Sequence, residues 1–196
     1  MRVQNSKMKY YIDIKLLPDA EISLGFLWKK VYQQVHLSLV EAKNESLALS
    51  FPQYGAKIFP MGDILRMFAP SKQEMESLDL DNWLSRLKDY IEISKILQTP
   101  DNVSYIHFKR RQFKYHNNVL KRAEHQAKRR GISLEEALEH FKDYKAKENT
   151  LPFIQVKSLS SNQELKIFIE KVEKDEELEG NFNTFGLSKT ATVPYF

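Results

Sequence analysis

The 196-residue sequence contains no cysteine. This absence excludes disulfides, thiolate nucleophiles and zinc sites built on thiolates. It is also typical of proteins from reducing compartments, so we expect a cytoplasmic location. No apolar run is long enough to span a bilayer and no signal peptide opens the chain, so no membrane partner is expected. The first residues, MRVQNSK, are expected to form a disordered leader over residues 1–7.

The sequence also has no P-loop, no dinucleotide-binding fingerprint and no nucleophile elbow. Its five histidines do not show the tight spacing of metal ligands, and no carboxylate cluster accompanies them. The histidines are His36, His107, His116, His125 and His140. The sequence therefore predicts neither a cofactor nor a metal site.

Positive charge, by contrast, is concentrated in one segment. The 24 residues from Phe108 to Gly131 contain nine Lys or Arg and a single acid, Glu124, whereas the other 172 residues contain 21 bases and 25 acids. Solvated surfaces usually mix the two signs because like charges repel, so a segregated block indicates a polyanionic partner. Phe113 and Tyr115 lie in the same block, and aromatic rings among bases favour nucleic acid over a membrane surface.

Within this block we predict a helix that Asn118 caps and Gly131 ends. At 100° per residue, five of its basic side chains fall within an arc of about 120°, and an apolar side lies opposite. The arc contains Lys121, Arg122, His125, Lys128 and Arg129. The alternative interpretation is an ordinary solvent-exposed basic face.

Hydrophobic periodicity predicts the order β-α-β-β-α-β for the first half of the chain. The strands are expected at 9–17, 46–51, 64–69 and 90–97, and the helices at 22–42 and from 71 through 87. This order is the ferredoxin-like, or split βαβ, arrangement. The expected fold class is α+β, with a ferredoxin-like domain over residues 8–99.

Residues 100–196 are expected to form a smaller α+β RNA-binding domain that carries the basic helix and a glycine-containing loop near the C-terminus. Its strands are predicted at 103–110, 151–160 and 164–172. A further helix is expected to begin at Ser133, where a capping box stands. The acidic stretch 173–179 is expected to be a solvated loop.

Four segments in order resemble one family, the CRISPR-associated endoribonucleases of type I-F systems, which cut the repeat hairpins of precursor crRNA. The segments are YYIDIKLLPDAE, LALSFP, LPFIQVKSLS and FGLSKTATVPYF. The resemblance covers the chain from Met8 to Phe196. It implies the precursor crRNA hairpin and other subunits of a type I-F effector complex as partners, and a protein that is monomeric on its own.

The resemblance also implies catalytic residues. His36 follows Asp19 at the spacing of the family's catalytic histidine, and Ser158 matches the serine that the family places beside the ribose. The implied reaction is a metal-independent attack of the RNA's own 2′-hydroxyl, which leaves a 2′,3′-cyclic phosphate (or 3′-phosphate) and a 5′-hydroxyl. From the residues alone, a lone helical histidine such as His36 is more often a boundary residue than a catalyst. Its role as acid or base stays open.

The same resemblance, together with the positive charge of the block, implies residues that contact RNA. Arg110 and Gln112 match family residues that read bases near the foot of the stem, and the basic helix is expected to clamp stem phosphates. The predicted RNA-binding residues are Arg110, Arg111, Gln112, Lys114, Lys121, Arg122, His125, Lys128, Arg129, Arg130, Ser160 and Phe185.

Two positions depart from the family's pattern. Members often have Tyr where this chain has Phe185, and relatives can have a stacking aromatic where it has Leu165. Phe185 alone supports one alternative, a catalytically idle subunit that binds the hairpin without cutting it. Another is an unrelated ferredoxin-like nucleic-acid-binding protein, in which His36 and Ser158 would be incidental.

Overall fold

The computed structural model describes residues 7–112, 119–142, 150–158 and 162–196. Within these ranges it contains two antiparallel sheets and several helices, which confirms the α+β class. The strands are β1 (Tyr10–Leu16), β2 (Ala48–Ser50), β3 (Ile64–Ala69), β4 (Ile91–Ile93), β5 (Leu97–Gln98), β6 (Ser104–Arg111), β7 (Phe153–Lys157), β8 (Glu164–Lys174) and β9 (Val193–Tyr195). The helices are α1 (Leu24–Ala42), α2 (Lys72–Glu76), α3 (Leu80–Trp83), a 3-10 helix (Ser85–Tyr90), α4 (Val119–Arg130) and α5 (Leu134–Glu139).

Both sheets belong to one compact unit, formed by residues 1–111 and 151–196, and residues 112–150 form a second unit. The predicted boundary between residues 99 and 100 falls inside the larger unit, between the last strand of one sheet and the first strand of the other. Whether 8–99 behaves as a domain of its own stays a prediction. The predicted leader lies almost entirely outside the described residues.

The first sheet has the strand order β2-β3-β1-β4, and the short strand β5 also pairs with β1. Alternation in β1 buries Ile12, Ile14 and Leu16, as the period-two pattern predicts. Ile14 lies opposite Leu65 on β3, and this register brings the two buried faces together.

Helix α1 covers this sheet through the apolar stripe that its sequence predicts. The helix begins after Ser23, whose side chain accepts a hydrogen bond from the backbone N–H of Phe26. Its buried positions include Leu27, Val31, Val35 and Leu39. Residues three and four apart share one helix face, so burial of this stripe leaves the polar side of α1 available for other contacts.

The second sheet has the order β7-β8-β6-β9. It packs on the first through aromatic side chains, because the Phe51 and Phe108 rings meet edge to face with centroids 5.1 Å apart. The hydroxyl of Tyr54 donates to the carbonyl of Ile169 at 2.8 Å, and that of Tyr195 donates to the carbonyl of Pro52 at 2.8 Å. Apolar packing and these two bonds join the sheets into one unit.

Two predicted elements are broken into shorter ones. The helix expected from 71 through 87 begins at the predicted cap, where Ser71 accepts from the N–H of Glu74, but it stops at Glu76. Asp79 then has a left-handed φ of 47°, which an α-helix cannot contain, and α3 and the 3-10 helix follow. The strand expected at 90–97 is interrupted at Ser94, whose hydroxyl accepts from the N–H of Asp13.

Strand β9 was not predicted, and β8 extends beyond its predicted end. Strand β9 is three residues long and contains Pro194, so it carries no strand pattern, and it exists because it pairs with β6. Strand β8 continues to Lys174, two residues into the segment predicted as a loop, because Glu173 and Lys174 pair with β6. In both cases pairing with the neighbouring strand β6 determines which residues form a strand.

The smaller unit contains α4 and α5. The predicted stop at Gly131 is confirmed, since Gly131 has a φ of +67° and its N–H donates to the carbonyl of Ala127. The cap at Ser133 is also confirmed by its bond from the N–H of Glu136. The cap expected at Asn118 lies outside the described residues.

The first sheet contains a stacked ion pair whose loss should destabilise the protein. Arg66 donates two hydrogen bonds to the carboxylate of Asp13 at 2.7 and 2.8 Å, and its guanidinium lies 4.0 Å from the centroid of the Phe196 ring. Arg66→Leu leaves the half-buried carboxylate of Asp13 without its ion-pair partner. We therefore expect the free energy of unfolding to fall by about 2 kcal/mol. Urea unfolding measures this change, with Arg86→Leu at an exposed position as the control. Equal midpoints for the two variants would contradict the prediction.

Candidate active site

A loop near the C-terminus lies against α1 and β2 and forms one wall of the candidate site. The carbonyl of Gly186 accepts from the N–H of Leu49 at 2.8 Å, and the N–H of Phe182 donates to the carbonyl of Glu45 at 2.9 Å. Gly186 has a φ of +66°, and a Cβ there would lie 2.3 Å from Cγ of Leu49. Both the conformation and the close approach require glycine, so this residue fixes how the loop docks.

Within the loop, Asn183 shapes the backbone of the two residues that face α1. Its side-chain oxygen accepts from the N–H of Phe185 at 2.8 Å, and its carbonyl accepts from the N–H of Gly186 at 2.7 Å. Such Asn turns fix the residues they enclose. The hydroxyl of Tyr32 on α1 also donates to the carbonyl of Phe185 at 3.0 Å. Thr184 and Phe185 are therefore held against the helix.

His36 on α1 meets this loop in two ways. Its Nδ1 lies 2.6 Å from the carbonyl oxygen of Thr184, and its ring stacks on Phe185 with centroids 4.2 Å apart and an interplanar angle of 3°. A carbonyl can only accept, so the bond assigns the proton of neutral His36 to Nδ1. Nε2 then carries the lone pair and is the nitrogen able to take up a proton.

Arg110 on β6 approaches the same aromatic ring. Its guanidinium carbon lies 4.4 Å from the centroid of Phe185, which is a cation–π contact. Its Nε is buried and has no acceptor among the residues that the structure describes. The structure thus gathers three of the predicted site residues, His36, Arg110 and Phe185, around one stack.

The surroundings of His36 favour its neutral form. Burial lowers the pKa of His36 most, and the charge of Arg110 lowers it further, whereas the bond to Thr184 acts in the opposite direction. The net direction is downward from the ordinary histidine value. Burial also raises the pKa of Tyr32 and lowers that of Arg110. At neutral pH the site therefore presents a mainly uncharged imidazole beside the half-buried cation of Arg110.

Ser158 lies directly after β7, the strand that packs along α1. Its N–H donates to the carbonyl of Gln163 at 2.8 Å. This bond holds the backbone of Ser158 where β7 and β8 approach their connecting turn. The preceding residue, Lys157, donates its N–H to the side-chain oxygen of Gln33 on α1 at 2.7 Å. Helix α1 thus carries His36 and, three residues earlier, binds the strand end that carries Ser158.

The remaining predicted RNA-binding residues in the described part of the chain lie at the end of β6 and on α4. Arg111 is exposed and forms an ion pair with Glu170 at 3.6 Å, and Gln112 is exposed at the end of β6. On α4, Arg122 is half-buried with its guanidinium 5.5 Å from the Phe141 ring, and the other predicted side chains are exposed. These others are Lys121, His125, Lys128, Arg129 and Arg130. Lys114 and Ser160 lie outside the described residues.

The sequence did not single out three residues of this site: Gln33, Tyr32 and Thr184. Gln33 and Tyr32 stand one helical turn before His36, a spacing at which neighbours on a helix touch, and that was the available signal. The sequence holds no signal for Thr184, because this residue acts through its backbone carbonyl.

Two further properties concern only the described ranges. There, no three His, Asp or Glu side chains lie close enough together to hold a metal ion. None of the helices in those ranges has the length and apolar character needed to cross a membrane.

A family model described as "CRISPR-associated protein (Cas_Csy4)" matches residues 11–196. The chain belongs to this family. Relatives include the "CRISPR-associated endonuclease Cas6/Csy4" of Escherichia coli (strain UTI89 / UPEC), 30% identical over 190 residues, which are 96% of this chain and 100% of the relative. The protein of the same name from Pseudomonas aeruginosa (strain UCBPP-PA14) is also 30% identical, over 193 residues. This match again covers 96% of this chain and 100% of the relative. The resemblance inferred from the four sequence segments is confirmed.

The stack predicts that Arg110 holds down the pKa of His36. Replacing it in Arg110→Met keeps a long side chain over Phe185 and removes the charge, so the pKa of His36 should rise toward the ordinary value. Titration of the His36 ring by NMR measures this change. Lys109→Met, which removes a neighbouring charge on β6 that does not depress the His36 pKa, should leave it unchanged. An equal pKa in the Arg110→Met variant would contradict the electrostatic account.

Proposed function

We propose that this protein is a metal-independent endoribonuclease that cuts the repeat hairpin of precursor crRNA in a type I-F system. The observation that carries the proposal is the fixed imidazole of His36, with its proton on Nδ1 and its Nε2 left for proton transfer. The relatives' name, CRISPR-associated endonuclease, supports the same activity. Histidine is the side chain best suited to move protons at neutral pH.

The proposed step is an attack of the ribose 2′-hydroxyl on the adjacent phosphorus. A bond forms from the 2′-oxygen to phosphorus as the 2′-hydroxyl loses its proton. The bond from phosphorus to the 5′-oxygen breaks, and the leaving oxygen takes up a proton from water. The products are a 2′,3′-cyclic phosphate (or, after hydrolysis, a 3′-phosphate) and a 5′-hydroxyl. His36 is largely neutral at pH 7, so Nε2 is ready to accept the 2′-hydroxyl proton as a general base.

Ser158 is assigned the orienting role. Its hydroxyl would hydrogen-bond the ribose and align the 2′-oxygen with the scissile phosphate, which is a contribution of positioning. Support comes from the bond between Gln33 on α1 and Lys157, the residue before Ser158. Arg110 and Gln112, at the end of β6, would read bases through bidentate hydrogen bonds, which a guanidinium and an amide fit by geometry.

Hairpin binding is assigned chiefly to α4. Its exposed cations (Lys121, Lys128, Arg129 and Arg130) would neutralise stem phosphates, with Lys114, Arg111, Arg122, His125, Ser160 and Phe185 as further contacts. A-form RNA offers its phosphates and 2′-hydroxyls rather than its base edges, which suits such a charged helix. The processed hairpin would then stay bound as the protein joins the other subunits of a cytoplasmic effector complex.

A ferredoxin-like first domain is part of the proposal. The strand order β4-β1-β3-β2 and the element order β1-α1-β2-β3-helices-β4 support it, because this connectivity defines the split βαβ arrangement. The fold is shared by many unrelated proteins, so it supports the assignment of residues 8–99 and says nothing of the reaction.

An idle hairpin-binding subunit is the second candidate, and Phe185 favours it, since the hydroxyl that members often carry there is missing. The phenyl ring nevertheless stacks on His36, and Thr184 holds the imidazole through its backbone. Incubating the protein with a labelled type I-F repeat in excess chelator separates the candidates. Cleavage supports the enzyme, and tight binding without cleavage supports the idle subunit. The third alternative, an unrelated nucleic-acid-binding protein, is excluded by the family match over residues 11–196.

Loss of the imidazole should abolish most of the activity. We expect His36→Ala to slow single-turnover cleavage by about 10²–10⁴-fold, the usual contribution of a positioned acid or base. Ser158→Ala should slow it less, because the ribose keeps its other contacts. Hairpin affinity should change little in either variant. The assay is run in chelator, with folding checked by circular dichroism, and near-normal cleavage by His36→Ala would overturn the assignment.

The pH profile tests the direction of proton transfer. If His36 acts as a base, the cleavage rate should fall as the pH drops through the pKa of His36, because Nε2 becomes protonated. The lowered pKa of His36 places this fall at a lower pH than an exposed histidine would give. The measurement is the single-turnover rate from pH 5 to pH 8. A rate that rises on acidification would instead make His36 the acid.

The salt dependence of binding tests the phosphate clamp. Replacing one contacting cation, as in Lys121→Gln or Lys128→Gln, should reduce the slope of log affinity against log salt by roughly one unit. Lys88→Gln, at an exposed position on the 3-10 helix, should leave the slope unchanged. If all three variants keep the wild-type slope, α4 does not bind the stem.

A further inference from the structure

Helix α1 presents a polar stripe as well as its apolar one. Lys29, Gln33 and His36 follow one another at spacings of four and three, so they lie on one face. Lys29 forms an ion pair with Glu164, the first residue of β8. Gln33 binds Lys157 on β7, and His36 binds the C-terminal loop. The helix therefore reaches three different chain segments through consecutive turns.

The bond from Gln33 satisfies a particular group of an edge strand. β7 is the outermost strand of its sheet, and the N–H of Ser158 points toward β8, where it donates to Gln163. Successive backbone N–H groups of a strand point to opposite sides, so that of Lys157 points away from β8. Without a partner this N–H would be an unpaired donor at the edge of the sheet. The side-chain oxygen of Gln33 accepts it at 2.7 Å.

The orientation of the Gln33 amide has a cost. Because the oxygen must face the N–H of Lys157, the amide nitrogen is directed elsewhere, and it is buried with no acceptor among the described residues. An unsatisfied buried donor destabilises a protein, and such groups in native structures call for a specific explanation. A methionine of similar length would avoid the unpaired nitrogen but would lose the bond to Lys157.

We propose that Gln33 is a positioning residue for RNA cleavage. Its bond to Lys157 fixes the end of β7 on α1 and so fixes Ser158, the next residue, relative to His36, one helical turn away from Gln33. Gln33 acts through Ser158 and does not touch the RNA. This inference rests on the proposed function, because Ser158 must take part in the reaction for its position to matter.

A double-mutant cycle tests the proposal in single-turnover cleavage of a type I-F repeat hairpin in chelator. We expect Gln33→Met to slow cleavage by about 10–10²-fold, since small misplacements in an active site have effects of this size. The Kd for the hairpin should stay unchanged. Combined with Ser158→Ala, Gln33→Met should cause no further loss, because it acts through that serine. A residue with only a general structural role would lower the rate of both backgrounds equally.

Matched variants and a second readout complete the test. Gln34→Met changes the neighbouring glutamine, which lines a groove with Phe26 and Lys30, and should cleave at the wild-type rate. Gln33→Glu keeps an acceptor oxygen, so it should recover part of the rate and restore slow hydrogen exchange of the Lys157 amide, which Gln33→Met should accelerate.

Four outcomes would overturn the inference. Wild-type cleavage by Gln33→Met, or equal losses in the wild-type and Ser158→Ala backgrounds, would overturn it and leave the proposed function intact. An unchanged exchange rate of the Lys157 amide in Gln33→Met would show that the bond does not hold the strand end. If the wild-type protein itself does not cut the hairpin, the proposed function fails, and the inference fails with it.

Discussion

The site depends on the docking of the C-terminal loop onto α1 and β2. Gly186 makes the contact possible, because its left-handed conformation and its distance from Leu49 leave no room for a side chain. Once the loop is docked, the Thr184 carbonyl and the Phe185 ring have fixed places, and both contact His36. Residues near the end of the chain thus determine the orientation of a side chain in its first helix.

That orientation has a chemical consequence. The imidazole is held by its Nδ1 proton and by stacking, so Nε2 is the nitrogen that can exchange a proton with a substrate. Burial and the charge of Arg110 lower the pKa of His36, which keeps the base form populated at neutral pH. The same arginine contacts Phe185, so the residue proposed to read a base also adjusts the residue proposed to move a proton.

The sequence predicted the elements that follow a local pattern. The alternation in β1, the apolar stripe of α1, and the stops and caps at Gly131 and Ser133 depend on residues close in sequence, and all were found. Strand β9 was missed because it depends on pairing with β6. The break at Asp79 was missed because it depends on the left-handed backbone of that residue. Within the site, the resemblance to the family singled out His36, and its catalytic role stays a prediction. Thr184 was missed because only its backbone acts, and Gln33 because its role depends on an edge strand more than a hundred residues later.

The central claim is that His36 and Ser158 flank the ribose at the cut. The most direct measurement is a crystal structure of the protein bound to a type I-F repeat hairpin with a single 2′-deoxyribose at the cleavage position, which blocks the proposed nucleophile. The account predicts Nε2 of His36 within hydrogen-bond distance of the reacting ribose-phosphate and the Ser158 hydroxyl beside the same ribose. A scissile phosphate bound away from both side chains would contradict it.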